Sequence, residues 1–135
     1  MTTLYIDTNV IIDAIDNRKN EYGNNIGDSA AKLFSEAISC KYYLIFSDWM
    51  FKELRKHVIP QQIEMLFKLA KKKTIKIEYS EDDWKKAEAL SQEHLGDALH
   101  VVLAEKAKAD IIVTSNIEHF KEIPTNISIK KPKWL

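Results

Sequence analysis

Apolar residues fall into short solid runs, separated by longer stretches with helical spacing. Leu4-Tyr5-Ile6, ending at Asp7, is one such run, and YYLIF (42–46) is a second. DIIVTS (110–115) is a third, and ISI (127–129) suits a last short strand. TIKIEY (74–79) instead alternates apolar and polar residues, as a half-exposed edge strand does. Uniformly apolar strands fit a parallel sheet covered on both faces.

Between these runs the period changes. Ala30, Leu33, Phe34, Ala37 and Ile38 follow i, i+3, i+4, i+7, i+8, with Asp28 or Ser29 placed to cap them. Pro60 suits a first helical position, ahead of Ile63, Leu66, Phe67 and Ala70. Ser80 and Asp83 have capping-box spacing before Trp84, Ala87 and Leu90. Asp97 to Ala107 is apolar around most of its circumference, so it should pack deep. The polar segment 17–27, rich in Asn and Gly, breaks the pattern. Alternating strands and helices predict an α/β fold, an α/β/α sandwich around a central parallel sheet of four to five strands.

A chain of 135 residues fits one domain, 1–135, with room for a substantial core. No apolar run reaches transmembrane length and no signal-peptide pattern opens the chain, so no membrane association is expected. The single cysteine, Cys40, rules out an internal disulfide framework and fits a reducing cytoplasm. Twenty basic residues balance twenty acidic ones, which argues against nucleic-acid binding through an overall positive field. The lysines at 68, 71, 72, 73 and 76, and at 130, 131 and 133, read as solvated surface.

The candidate chemistry is acidic. Ligands of open parallel sheets bind at the carboxyl ends of the strands. Asp7 ends the first strand, Asp48 and Glu53 follow the second, and Asp97 opens the helix before DIIVTS. Singly, each has a structural explanation: Asp7 and Asp48 as helix caps, Glu53 as a solvated helix residue, Asp97 as a first-turn acid. Asp7 and Asp97, however, have apolar neighbours on both sides. Carboxylates converging at one sheet edge repel unless a cation intervenes, and oxygen-only ligands suit Mg²⁺ or Mn²⁺. The sequence carries no Cys/His spacing of zinc type and no Gly-rich phosphate loop.

LYIDTNVIID (4–13), SDWMFKEL (47–54) and GDALHVVLAEKAKADIIVTSNIEHF (96–120), with the closing IKKPKWL (129–135), together resemble the PIN-domain family. The resemblance covers nearly the whole chain. It implies an α/β/α metal-dependent ribonuclease, like the small prokaryotic VapC-type toxins, with Asp7, Glu53 and Asp97 as catalytic metal-binding acids. The family's fourth acidic position, after the Val-Thr pair, is occupied here by Asn116, which would weaken a second metal site; Glu118 would take its part. Thr8, Asn9, Thr114 and Ser115 would contact substrate, although capping and turn roles explain them equally well. His100 shares a helix face with Asp97 and reads best as a packed histidine bonded to backbone, while His57, His94 and His119 show no convergent pattern. Asp13, 240° round the first helix from a first-turn acid, should face elsewhere. The three tryptophans read as core or interface anchors.

The expected function is hydrolysis of RNA phosphodiesters with Mg²⁺ or Mn²⁺, as the toxin of a toxin–antitoxin pair. RNA, an antitoxin protein and a second copy of the chain are the expected partners. The alternative is a PIN-fold scaffold or RNA-binding protein of weak or absent activity, with Asn116 as its mark. A phospho-acceptor receiver domain also clusters acids around Mg²⁺, but it calls for a paired acid after its first strand and a late lysine. Here Asp7 stands alone and Asn116-Ile117-Glu118 occupies the lysine's place.

Overall fold

The computed structural model describes residues 2–16, 36, 41–70 and 73–135. The strands are β1 (Thr2–Ile6), β2 (Tyr42–Ser47), β3 (Thr74–Ile77), β4 (Ile111–Val113) and β5 (Ser128–Lys130). The helices are α1 (Thr8–Asp16), α2 (Asp48–Leu54), α3 (Pro60–Ala70), α4 (Glu81–Leu90), α5 (Leu95–Lys106) and α6 (Ile117–Lys121). All five strands run parallel in the order β3-β2-β1-β4-β5, so the expected α/β architecture is the observed one. The predicted helix at 30–38, the loop at 17–27 and Cys40 lie outside the described residues.

Side chains alternate across a strand, so each buried strand feeds two cores. Leu4 and Ile6 of β1, Leu44 and Phe46 of β2, and Val113 of β4 face one side, where they meet Val10 and Ile11 of α1 and Met50 and Leu54 of α2. Tyr5, Ile45 and Ile112 face the other side, against Leu99, Val102 and Leu103 of α5 and Phe120 of α6. Each fully buried Leu, Ile or Phe is worth about 1.5–3 kcal/mol of transfer free energy. That two-sided demand is why these strands read as solid apolar runs. β3 lies at the sheet margin, as its apolar–polar sequence predicts, and leaves Ile75 42% exposed there.

Hydrogen bonds set where elements end. The predicted run 74–79 stops pairing at Ile77 because the Tyr79 N–H is taken, two residues on, by the Asp48 carboxylate at 3.0 Å. The cap of α2 is Ser47, whose hydroxyl accepts from the Met50 N–H at 3.1 Å; Asp48, expected there, is the first helical residue. Asp110, which opens the predicted run 110–115, lies one residue ahead of β4 and accepts from the Thr3 N–H at 2.8 Å. Ser80 and Asp83 form the predicted capping box of α4, and Lys106 pairs with Asp83 at 2.8 Å. Trp49, Trp84 and Tyr79 pack mostly edge to face beside it. Trp134 is exposed.

The sheet order creates the site. From β1 the chain builds outward through β2 to β3, then crosses back to place β4 on the other flank of β1. The crevice at such a reversal lies beyond the carboxyl ends of the two central strands. Here those ends are Asp7 and Thr114.

Candidate metal and active site

Asp7 leaves β1 with its N–H bonded to the Val113 carbonyl at 2.9 Å, which seats it against the end of β4. The residue is 2% exposed. Thr114, fully buried, donates its hydroxyl to Asp7 Oδ2 at 2.9 Å and accepts the Asn116 N–H at 3.0 Å. The α2 helix brings Glu53 to the same crevice, where Thr8 donates to its Oε1 at 2.7 Å. Asp97 enters from the first turn of α5, which starts two residues earlier than expected, at Leu95.

His100, one turn after Asp97, binds these acids together. Its Nε2 lies 2.6 Å from Glu53 Oε1 and 3.6 Å from Asp7 Oδ1. An ionised carboxylate only accepts, so Nε2 carries the hydrogen. Nδ1 meets the Tyr5 hydroxyl at 2.7 Å, and Tyr5 in turn meets Ser47 at 2.9 Å. The buried imidazole is thus held by side chains, not by backbone as its helical setting suggests. Its position three residues after Asp97 is the one signal the sequence offers; its link to Glu53, 47 residues away, is not visible there.

The charges follow from these contacts. Burial pushes the Asp7 carboxyl from 3.8 up to about 6; Asp97 and Glu53 push the same way, while His100 and Thr114 pull back. Burial also works against Glu53, but the His100 bond and charge, with Thr8 and Lys56, outweigh it and lower its pKa. For His100, burial opposes the charged form, yet Glu53, Asp7 and Asp97 together raise its pKa. Burial, reinforced by the nearby acids, keeps the Tyr5 phenol protonated. One imidazolium therefore faces three carboxylates, an arrangement with unsatisfied negative charge that a divalent cation would balance. The oxygen donors of Asp7, Glu53 and Asp97 fit such an ion.

The other expected contacts divide. Asn9 is exposed on the first turn of α1. The hydroxyls of Thr8 and Thr114 serve the acids, and Ser115 donates to Asp13 Oδ2 at 2.6 Å. Asp13 is buried, so the side of α1 expected to face elsewhere is covered by the loop after β4. Asn116 caps α6 without a side-chain cap bond and sets its amide nitrogen 2.6 Å from His119 Nδ1. Glu118 is exposed on α6. Gly96 has room for a methyl group at ordinary contact distances, 3.6 Å from Trp49 and 3.8 Å from Glu53, so packing alone does not demand glycine.

With this geometry in place, the sequence profile of the PIN domain matches residues 3–118. The chain belongs to the PIN domain family. PIN domains are generally nucleases that use divalent metal ions. No curated protein matches the chain. Among solved structures, it resembles a chain of VapBC2 from Rickettsia felis bound to a DNA fragment from their promoter, with a TM-score of 0.63 and 20% identity over 96% of this chain and 98% of that one. It also resembles a chain of FitAB bound to the IR36 DNA fragment, with a TM-score of 0.56 and 14% identity over 96% and 94%. At these identities the likeness is one of fold. No described helix is long and apolar enough to cross a membrane.

Proposed function

We propose that this PIN domain is a Mg²⁺- or Mn²⁺-dependent endoribonuclease and the toxin of a toxin–antitoxin pair. The observation that carries the reading is the burial of Asp7 beside Glu53 and Asp97 at the reversal of the sheet, with its carboxyl pushed up to about 6. Asp7, Glu53 and Asp97 would hold the ion. When bound, it supplies a water of lowered pKa and offsets charge on the phosphoryl oxygens. Thr114 and Thr8 fix the oxygens of Asp7 and Glu53, and His100 keeps Glu53 aimed into the crevice. A pre-set donor shell of this kind avoids reorganisation during the reaction.

The similar chains come from VapBC2 and FitAB, which supports an antitoxin as partner. RNA as substrate, a homodimer, a single domain and a cytoplasmic setting complete the reading. A scaffold role is the second reading, favoured by the neutral Asn116 amide, which faces His119 instead of adding a carboxylate.

Cleavage of labelled single-stranded RNA in Mn²⁺, Mg²⁺ and EDTA tests the proposal, with Asp7→Asn protein purified in parallel. Metal-dependent cleavage that falls at least about a hundredfold in the variant is expected, since even outer-shell groups cost ~10–100-fold. Equal cleavage by both proteins would expose a contaminant, and no cleavage by the folded, partner-free chain would favour the scaffold.

A further inference from the structure

A cleft of about 630 Å³ opens beyond the ends of β2 and β3, a size that holds small organic groups. Asp48 and Lys52 of α2, Tyr79 after β3, and Trp84 and Lys85 of α4 line it. The strands are parallel and β2 lies next to β1, so this cleft shares the sheet edge of the crevice at Asp7. Trp49 joins the two. It stands one turn before Glu53, and a Cβ placed on Gly96 would lie 3.6 Å from Trp49 and 3.8 Å from Glu53 Oε2. Behind the cleft it meets Trp84 edge to face, with centroids 5.3 Å apart, and Tyr79 likewise at 5.9 Å. Trp84 and Tyr79 are half-buried and present part of their rings to the cleft.

We propose, resting on the ribonuclease reading for the substrate, that this cleft takes a base of single-stranded RNA beside the scissile phosphate. Trp84 and Tyr79 form its stacking surface, and Lys52 and Lys56 meet the strand's phosphates. Placement comes first. Neighbouring strands lie ~4.8 Å apart, so the cleft over β3 and β2 is about 10 Å from the crevice over β1 and β4, within reach of a neighbouring nucleotide. Charge then orients the strand. Asp48 is committed to two backbone N–H groups, those of Trp49 at 2.8 Å and Tyr79 at 3.0 Å. Lys52 donates to the Tyr79 hydroxyl, which holds its ammonium at the cleft. Lys56, exposed just past the end of α2, lies near enough to Glu53 to help lower its pKa. The two lysines thus mark a path from the cleft to the acidic crevice, the course of a bound phosphate backbone. Glu81 and Glu88, which also line the cleft, offer only acceptors; they suit the amino groups of a base and repel phosphate. The base therefore lies inward, on aromatic faces that any base can stack upon.

Binding is measured apart from cleavage, by anisotropy of a labelled single-stranded oligoadenylate in EDTA, with the full chain, Trp84→Leu and Lys52→Ala. Trp84→Leu should bind about tenfold more weakly, the loss of one stacked base. Lys52→Ala should flatten the slope of log affinity against log salt by ~0.7, the loss of one single-strand phosphate contact. An unchanged slope would overturn the path along α2. A folded Trp84→Leu chain that binds and, in Mn²⁺, cleaves like the parent would overturn the subsite, leave the ribonuclease reading standing and free the cleft for a partner peptide. A parent chain that binds through Trp84 without ever cleaving would keep the base subsite and overturn the ribonuclease reading. No binding by the parent would overturn the subsite. Should Trp84→Leu not fold, indole resonances of the unmodified protein decide: a shift at Trp84 with Trp134 unmoved supports the subsite, and an unmoved Trp84 refutes it.

Discussion

Two groups of acids share one edge of the sheet and are neutralised in different ways. Asp7 and Glu53 lie inside, where His100, itself 1% exposed, supplies the opposing charge at 2.6 Å from Glu53. Glu122 lies at the rim, paired with His94. Asp97, which also acts on Asp7 from the first turn of α5, stands between the two, with His119 beside it and a quarter of its side chain open to water. The inner pair must carry its counter-charge within the fold because desolvation is costly. The outer group can leave its charge to solvent. The same residue types thus become a structural necessity in one place and a solvated pairing in the other.

Removing the inner counter-charge should have the largest effect. His100→Ala leaves Asp7 and Glu53 facing each other without compensation, and breaking a buried ion pair costs about 3–5 kcal/mol. Urea unfolding in EDTA should show a loss toward the lower end of that range, since Glu53 reaches solvent, with part of it recovered in Mn²⁺. A variant as stable as the parent would mean that the inner acids need no internal cation.

Removing one inner acid should act in the opposite sense. A carboxyl with pKa about 6 when folded and 3.8 when unfolded holds its proton more tightly in the native state. Stability in EDTA from this group is therefore full below about pH 4 and is lost as pH rises through about 6. That difference corresponds to about 3 kcal/mol. Asp7→Asn should gain roughly that much at neutral pH and lose this contribution to the pH slope, as read from melting curves between pH 4 and 7. Destabilisation by the variant would contradict burial as the main cause of the raised pKa.

At the rim the effect should nearly vanish. Glu122 is 64% exposed, and exposed pairs contribute about 0–1 kcal/mol. Glu122→Gln should shift the urea midpoint little and leave RNA cleavage intact. A loss as large as that of His100→Ala would erase the distinction between inner and outer groups.

Much of this is legible in the amino-acid sequence alone. Apolar runs mark β1, β2 and β4 because both faces of each strand are covered, and alternation marks β3 as an edge. Asp7, Glu53 and Asp97 are visible as acids at strand ends and helix starts. The choice of Ser47 over Asp48 as cap is not, because both residues suit the role and the Tyr79 N–H, 31 residues away, decides between them. The stacking of His94 on His119 is hidden for a related reason: it depends on how α5 and α6 meet, which no local spacing encodes. Asp13 departs from expectation because helical geometry gives a direction but not what lies there.

The bond from Thr114 to Asp7 spans 107 residues, and the sheet seats β1 between its earliest and one of its latest partners. During synthesis, at ~5–20 residues per second, the first strand therefore waits roughly 5–20 s for the strand that completes its pocket. Until then Asp7 has neither the Val113 carbonyl at its back nor the hydroxyl on its carboxylate. Whatever chemistry the crevice performs is withheld from the nascent chain and begins only when the last third has emerged, a delay written into strand order.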